Sequence, residues 1–274
     1  MSVAKTSGNG FVDVSDSRLF YEVAGSGEPV VLLHGGLLDR RMWDGQFEFL
    51  AQHYRVVRYD ARYCGKSETK VLTVDYAPYQ DLYHILQALN IEKAALLGLS
   101  GGARAAIDFA IAYPTCVRKL VAISPGLNGY KFVDPWTGER GKELMQAFGQ
   151  GDLAKAIETF VVMWTDGPAR KPDQVNPAVR ERVREMAINS TLKSKGAPGF
   201  KELEPPAIGR LNEIHVPTMI VQGEKDTSDI HAICKLLHEQ IAGSELVRIP
   251  DVAHTLVMEK PAGFNLLVEQ FLRA

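Results

Sequence analysis

Residues 94–102 read Ala-Ala-Leu-Leu-Gly-Leu-Ser-Gly-Gly, and an Ala-rich stretch at 103–113 follows them. A short apolar run ends in Gly98, then comes Ser100, then Gly101 and Gly102. A Gly-x-Ser-x-Gly pattern set between a buried strand and a helix is the context in which this motif has physical meaning. The strand must turn into the helix almost at once, which leaves Ser100 at the tip of a strained turn with its hydroxyl exposed. Gly98 and Gly102 suit that turn because side chains would collide where strand and helix close on each other. The backbone N–H of Gly101 falls at a helix N-terminus, aimed where an oxyanion would form. A Gly/Ser-rich turn without chemistry is the competing reading. The strand before and the helix after favour a nucleophile.

Outward from this turn, apolar runs alternate with helical patterns. Residues 11–14 and 18–23 are short β-rich runs around Ser15-Asp16-Ser17 and read as a hairpin. Residues 30–33 are continuously apolar, as a central strand buried on both faces requires, and lead into His34-Gly35-Gly36. Residues 38–53 carry Met42, Trp43, Phe47 and Leu50 at helical spacing, and 54–59 form another strand. In the polar loop 60–67, Gly65-Lys66-Ser67 matches the end of a phosphate-binding loop, but Asp60 stands where that motif needs glycine. Residues 78–89 are an amphipathic helix and 117–123 the next strand. Strand and helix in alternation with short connections predict a parallel sheet covered on both faces.

The alternation stops at 127. Residues 127–209 read as helices at 142–148, 153–164 and 178–192, with Asp152 as an N-cap and Pro177 at a helix start. Pro168, Pro172, Pro177, Pro198, Pro205 and Pro206 punctuate the loops. Alternation resumes with a strand at 217–221, a helix at 228–241, a strand at 245–249 and a helix at 262–272. The expected division is a core of residues 1–126 and 210–274 with residues 127–209 inserted.

Composition narrows the function classes. A chain of 274 residues suits one large α/β domain with an insertion, or two small domains. A net charge of −2 gives no electrostatic footprint for nucleic acid or an anionic membrane surface. No apolar run approaches the roughly 18 residues of a membrane span. Residues 1–10 are polar and lack the apolar stretch of a secretory signal, so a cytoplasmic location is expected and the sequon Asn189-Ser190-Thr191 carries no weight. Cys64, Cys116 and Cys234 are widely spaced and odd in number, which fits neither a metal cluster nor a disulfide framework.

These residues resemble the α/β-hydrolase fold superfamily over the whole chain except the insertion. The landmarks stand in the family's order: His34-Gly35-Gly36, the Asp60…Arg62…Gly65-x-Ser67 loop, Gly98-x-Ser100-x-Gly102, Gly223-x-x-Asp226, and His254 followed by Glu259-x-Pro261. Residues 34–46 look most like the branch of small serine esterases, enol-lactonases and cofactor-free perhydrolases. The chain departs from that branch at Gly101, where a larger side chain such as Met is usual. It departs also at Ala253 and Tyr63, where glycine is common. The resemblance implies a mostly parallel twisted central sheet with helices on both faces and a helical cap at 127–209. Haloalkane dehalogenases and epoxide hydrolases of this fold carry Asp where Ser100 stands.

A serine hydroxyl needs a base to take its proton. Of seven histidines, His84, His231 and His238 lie in helical patterns, and His53 and His215 precede strands. His34 precedes the oxyanion turn and, by resemblance, supports that loop. His254 lies just past the last strand, where a side chain reaches over the sheet's C-terminal edge, and is assigned as general base. Asp226, after the strand ending at Gly223, is the orienting acid by spacing and resemblance. Asp229 reads as a solvated first-turn acid and Asp251 as solvent-facing. The backbone N–H groups of Gly36 and Gly101 are the expected oxyanion hole.

Apolar cap residues, with Leu37, Leu38 and Leu99, are expected to wall a pocket over Ser100. Its candidates are Leu37, Leu99, Trp136, Met163 and Trp164. Arg40, Arg41 and Arg104 are candidate readers of a substrate carboxylate. The sequence therefore predicts a serine hydrolase cleaving small to medium, largely apolar esters or lactones through Ser100, His254 and Asp226. Hydrolysis of a C–C bond in a vinylogous 1,5-diketone by the same residues is an alternative. A receptor that retains these residues with little turnover is another. No metal and no cofactor are implied, the partner is a small-molecule substrate, and the chain is expected to be a monomer or homodimer.

Overall fold

A computed structural model describes residues 6–70, 76–194, 197 and 199–274; Pro198, read above as a loop proline, lies outside the described residues. β1 (Thr6–Val14) and β2 (Ser17–Gly25) form an antiparallel hairpin with Val14 opposite Ser17. β3 (Pro29–Leu33) leads through a 3₁₀ turn, Arg40–Trp43, into α1 (Asp44–Leu50) and β4 (Arg55–Tyr59). The short β5 (Glu68–Thr69) lies against β2, and α2 (Pro78–Ala88) leads to β6 (Ala94–Leu99). Then come α3 (Gly101–Ala112) and β7 (Val117–Ile123). Between β7 and β8 (Thr218–Gly223) the chain forms α4 (Pro135–Gly149), α5 (Leu153–Val161) and α6 (Pro177–Lys193). It finishes with α7 (Ser228–Gln240), β9 (Glu245–Ile249), α8 (Leu256–Glu259) and α9 (Pro261–Arg273).

The strand order is β1-β2-β4-β3-β6-β7-β8-β9. Every neighbour from β4 to β9 is parallel, while β2 pairs antiparallel with β1, β4 and β5. A mostly parallel central sheet with helices on both faces is the architecture the sequence leads one to expect.

The period-2 geometry of the strands divides their apolar residues between two cores. On one face Val31, Leu33, Leu96, Leu120 and Ile220 pack with α2, α3 and α7. On the other, Val30, Leu32, Leu97, Val121 and Met219 pack with Trp43, Leu50 and α9. Both faces are covered, which is why the central strands read as continuous apolar runs. Ile157, Phe160, Val183 and Met186 of α5 and α6 join the second core, so these helices are seated on the sheet layer.

α4 starts at Pro135 rather than at 142. Asp134 caps it by accepting from Thr137 N at 2.7 Å, and Pro135 takes the first helical position, where its missing N–H costs nothing. Gly138 and Gly141 dilute the apolar periodicity that would have revealed this first half. The residues after α5, expected to continue it to 164, form a π-helical turn, Val162–Asp166.

Only Ser100 separates β6 from α3, and it adopts φ 56°, ψ −114°. A Cβ at Gly98 would lie 2.5 Å from the Gly102 carbonyl oxygen, and one at Gly102 would lie 2.3 Å from that of Leu33. Helix and strands therefore touch backbone to backbone. Gly102→Ala is expected to lose about 1–3 kcal/mol by overpacking, read as a lower urea midpoint. An unchanged midpoint would refute the contact.

Candidate active site

Ser100 is fixed by its backbone. Its N–H donates to the Ile123 carbonyl at 2.9 Å, and its carbonyl accepts from Arg104 N at 3.0 Å and Gly126 N at 3.1 Å. Across the sheet's edge, His254 and Asp226 are both buried, and His254 Nδ1 lies 2.9 Å from Asp226 Oδ2. Asp226 accepts a second hydrogen bond, from Thr227 N to Oδ1 at 2.8 Å. With Nδ1 donating to Asp226, Nε2 is the ring nitrogen that a neutral imidazole leaves as an acceptor. Among the described residues no group hydrogen-bonds Nε2, although it is buried. The acid loop is laced to the histidine loop by Glu224 N to Ile249 O at 2.9 Å and Lys225 N to Val252 O at 2.8 Å.

Gly36 and Gly101 face each other closely. A Cβ at Gly101 would lie 3.5 Å from Gly36 N and meet nothing else, and a Cβ at Gly36 would meet no atom within 4 Å. His34 braces this loop by accepting from Ala61 N at 2.9 Å through Nε2 and donating from Nδ1 to the Gly35 carbonyl at 2.8 Å. Those partners assign its neutral Nδ1–H tautomer. Tyr63, where glycine is common in the resembling branch, takes φ 63° in the left-handed region that favours glycine.

Ser100, His254, Gly36, Gly101, Leu99 and Trp164 all line one cavity of about 570 Å³, together with Leu38, Tyr130, Phe132 and Phe160. Leu37, Trp136 and Met163 are not part of that lining. Leu37 takes φ 57° and packs instead against the second core. Trp136 belongs to the early-starting first turn of α4. Met163 is buried beside Trp164 on the π turn but does not reach the cavity. Lys131, Glu202 and Thr255 line the cavity without having been anticipated, since no periodic signal marks polar loop residues.

Asp229 is buried, not solvated: its carboxylate accepts from Tyr130 Oη at 3.1 Å, Val133 N at 3.0 Å and Asp134 N at 2.9 Å. It anchors the approach to α4. Of the three candidate arginines, Arg40 is held by Asp60 at 2.8 Å and Glu22 at 3.1 Å, and Arg41 by Asp39 at 2.7 Å. Arg104 alone of the three lines the cavity, where it pairs with Glu202 at 3.0 Å and lies 4.3 Å over the Phe200 ring. Burial pushes the Cys64 thiol up to about 12 and raises that of Cys234 as well, so neither is an activated nucleophile. Among the described residues no group of three or more His, Cys, Asp or Glu could hold a metal ion, and no helix is long and apolar enough to cross a membrane.

Residues 28–261 match the family model described as alpha/beta hydrolase fold. The chain is 29% identical over 280 residues to a Bacillus subtilis (strain 168) protein provisionally named a 2-succinyl-6-hydroxy-2,4-cyclohexadiene-1-carboxylate synthase, covering 95% of this chain and 97% of that one. It is 28% identical to a 2-hydroxy-6-oxo-6-phenylhexa-2,4-dienoate hydrolase of Comamonas testosteroni, covering 95% and 93%. A thermophilic esterase from Thermogutta terrifontis superposes with a TM-score of 0.81 over 98% of both chains at 24% identity, a likeness of fold.

One turn beyond Arg104 on α3, Asp108 is buried, its Oδ1 has no hydrogen-bond partner among the described residues, and burial raises its pKa to about 6. An unfolded Asp titrates near 3.9. Between about pH 4 and pH 6 the folded chain thus holds the extra proton, and stability falls as pH rises through that window. Asp108→Asn, which fixes the uncharged form, is expected to be more stable than the parent at pH 8, by up to about 3 kcal/mol, and equal to it at pH 4. Urea unfolding at the two pH values checks this; the same difference at both would refute it.

Proposed function

The chain belongs to the α/β-hydrolase fold family, and on that premise we propose that it is a serine hydrolase of carboxylic esters or lactones. Ser100 Oγ attacks the carbonyl carbon while His254 Nε2 takes its proton. Asp226 keeps the imidazole in the Nδ1–H tautomer and stabilises the imidazolium that forms. The N–H groups of Gly36 and Gly101 receive the developing oxyanion. His254 then protonates the leaving oxygen, and water, activated by the same imidazole, releases the acyl group and restores Ser100.

The observation that carries this reading is the buried His254 Nε2. It is oriented through Nδ1 by Asp226 at 2.9 Å, has no hydrogen-bond partner among the described residues, and shares a cavity with Ser100. A cavity of about 570 Å³ walled by Leu99, Phe160 and Trp164 suits a small to medium, largely apolar substrate. In this reading residues 127–209 are a cap that encloses the substrate. Hydrolysis of a C–C bond by the same residues is the second reading, favoured by the 28% identity with the dienoate hydrolase.

Steady-state hydrolysis of p-nitrophenyl esters from acetate to decanoate tests the proposal. Ser100→Ala and His254→Ala are each expected to lower kcat by about 10³-fold or more, with Asp226→Asn close behind. Equal turnover by wild type and Ser100→Ala would remove Ser100 from its role. Silence on every ester, with Ser100-dependent cleavage of a vinylogous diketone, would establish the C–C reading instead.

A further inference from the structure

A single hydrogen bond from Nδ1 to Asp226 fixes one point of the His254 ring and leaves the ring free to swing about it. Something else must hold its plane. Trp164 lies against it, the two ring centres 4.6 Å apart with planes at 47°. Trp164 rides on the π-helical turn Val162–Asp166, a wide and locally unfavourable form that recurs at functional sites. The turn ends at Gly167, with φ 76°, where a Cβ would come within 2.7 Å of the Lys225 carbonyl oxygen and 2.8 Å of Ala253 Cβ. This segment therefore rests directly on the loop that carries Asp226 and on the residue beside His254.

Arg170 closes the arrangement. Its guanidinium, 8% exposed, grips the Glu259 carboxylate at 2.6 and 3.0 Å. The same group donates to the carbonyls of Thr165 at 2.6 Å and Asp166 at 2.9 Å, the last residues of the π turn. It also donates to the carbonyl of Asp251, at 3.1 Å, in the histidine loop. Glu259 in turn accepts from Ala253 N at 3.4 Å. On the far side Asp166 is fully buried and held by Arg180 Nε at 2.8 Å. A buried ion pair of this kind adds little net stability over an apolar pair of similar volume. What a planar guanidinium donating in fixed directions to five oxygens does supply is geometry.

We propose that Arg170, with Glu259, is a positioning residue for His254. It locks the π turn to the histidine loop so that Trp164 stays against the imidazole and limits its swing. This rests on His254 being the base, as proposed above. Neither partner lines the cavity, and both act through Trp164 and the loop backbone.

Removing one partner would strand a buried charge, so the informative variant is Arg170→Met/Glu259→Met, with Arg170→Lys beside it. Two readouts are needed. The first is kcat on p-nitrophenyl acetate, expected to fall about tenfold to a hundredfold because small misplacements of a base are costly, with KM changing far less and Arg170→Lys failing to rescue. The second is tryptophan fluorescence against pH. An imidazolium in contact with an indole quenches it, so wild type is expected to show a pH-dependent signal that Trp164→Phe abolishes, and the double variant to lose most of its amplitude. The other charged groups that line this cavity or lie on the acid and histidine loops are Asp226, Arg104, Lys131, Glu202, Glu224, Lys225 and Asp251, and these variants leave them in place. A folded double variant with a lower Tm but wild-type kcat and an intact fluorescence titration would overturn the proposal. If wild type hydrolyses no ester, the ester and lactone reading falls, and the fluorescence titration alone still decides for or against the clamp.

Discussion

The structure depends on backbone meeting backbone at one place. β6, α3 and β3 approach so closely that neither Gly98 nor Gly102 has room for a single additional carbon. That contact forces the chain from strand to helix through one residue, and it holds Ser100 at φ 56°, ψ −114°, a conformation a serine adopts only when its surroundings impose it. The strain is held by two packed cores, one on each face of the sheet. An error of register in either would move the turn.

At the C-terminal edge of the strands, cohesion changes from apolar to polar. The loops there have little core of their own and are joined by buried polar groups. His34 ties the Gly35 loop to Ala61, Asp229 ties α7 to the approach to α4, and the acid and histidine loops are laced backbone to backbone. Such groups are costly to leave unpaired, so each defines one arrangement more sharply than packing would. The helices between β7 and β8 are joined to this edge by apolar contacts of α5 and α6 and by the Arg170–Glu259 pair, whose members lie 89 residues apart.

The sheet and the Ser100 turn were legible because their signals are local. Continuous apolar runs mark strands buried on both faces, and glycine spacing marks the turn. The loop residues Asp226 and His254 could be read from their distance to strand ends. The cavity wall was legible only in part. Leu99 and Trp164 line it, whereas Leu37, Trp136 and Met163 do not, because a hydropathy stripe says that a residue is buried and not against what. Asp229 misled for a related reason: a first-turn acid looks solvated until another segment is folded onto it. Arg170 and Glu259 carry no sequence signal of their partnership, since nothing short-range links two ionic residues that far apart.

The glycines around Ser100 fall into two kinds. Gly98 and Gly102 are sterically closed. At Gly36 no neighbour stands within 4 Å of an added carbon, and at Gly101 the nearest sits at an ordinary 3.5 Å. An added Cβ at either of these two positions therefore meets no clash with the frame. For evolution or laboratory design, this makes the volume beside the serine adjustable one methylene at a time while the frame that carries it stays fixed. Breadth of substrate choice and integrity of the fold are thus governed by different glycines, and a lineage could change one without endangering the other.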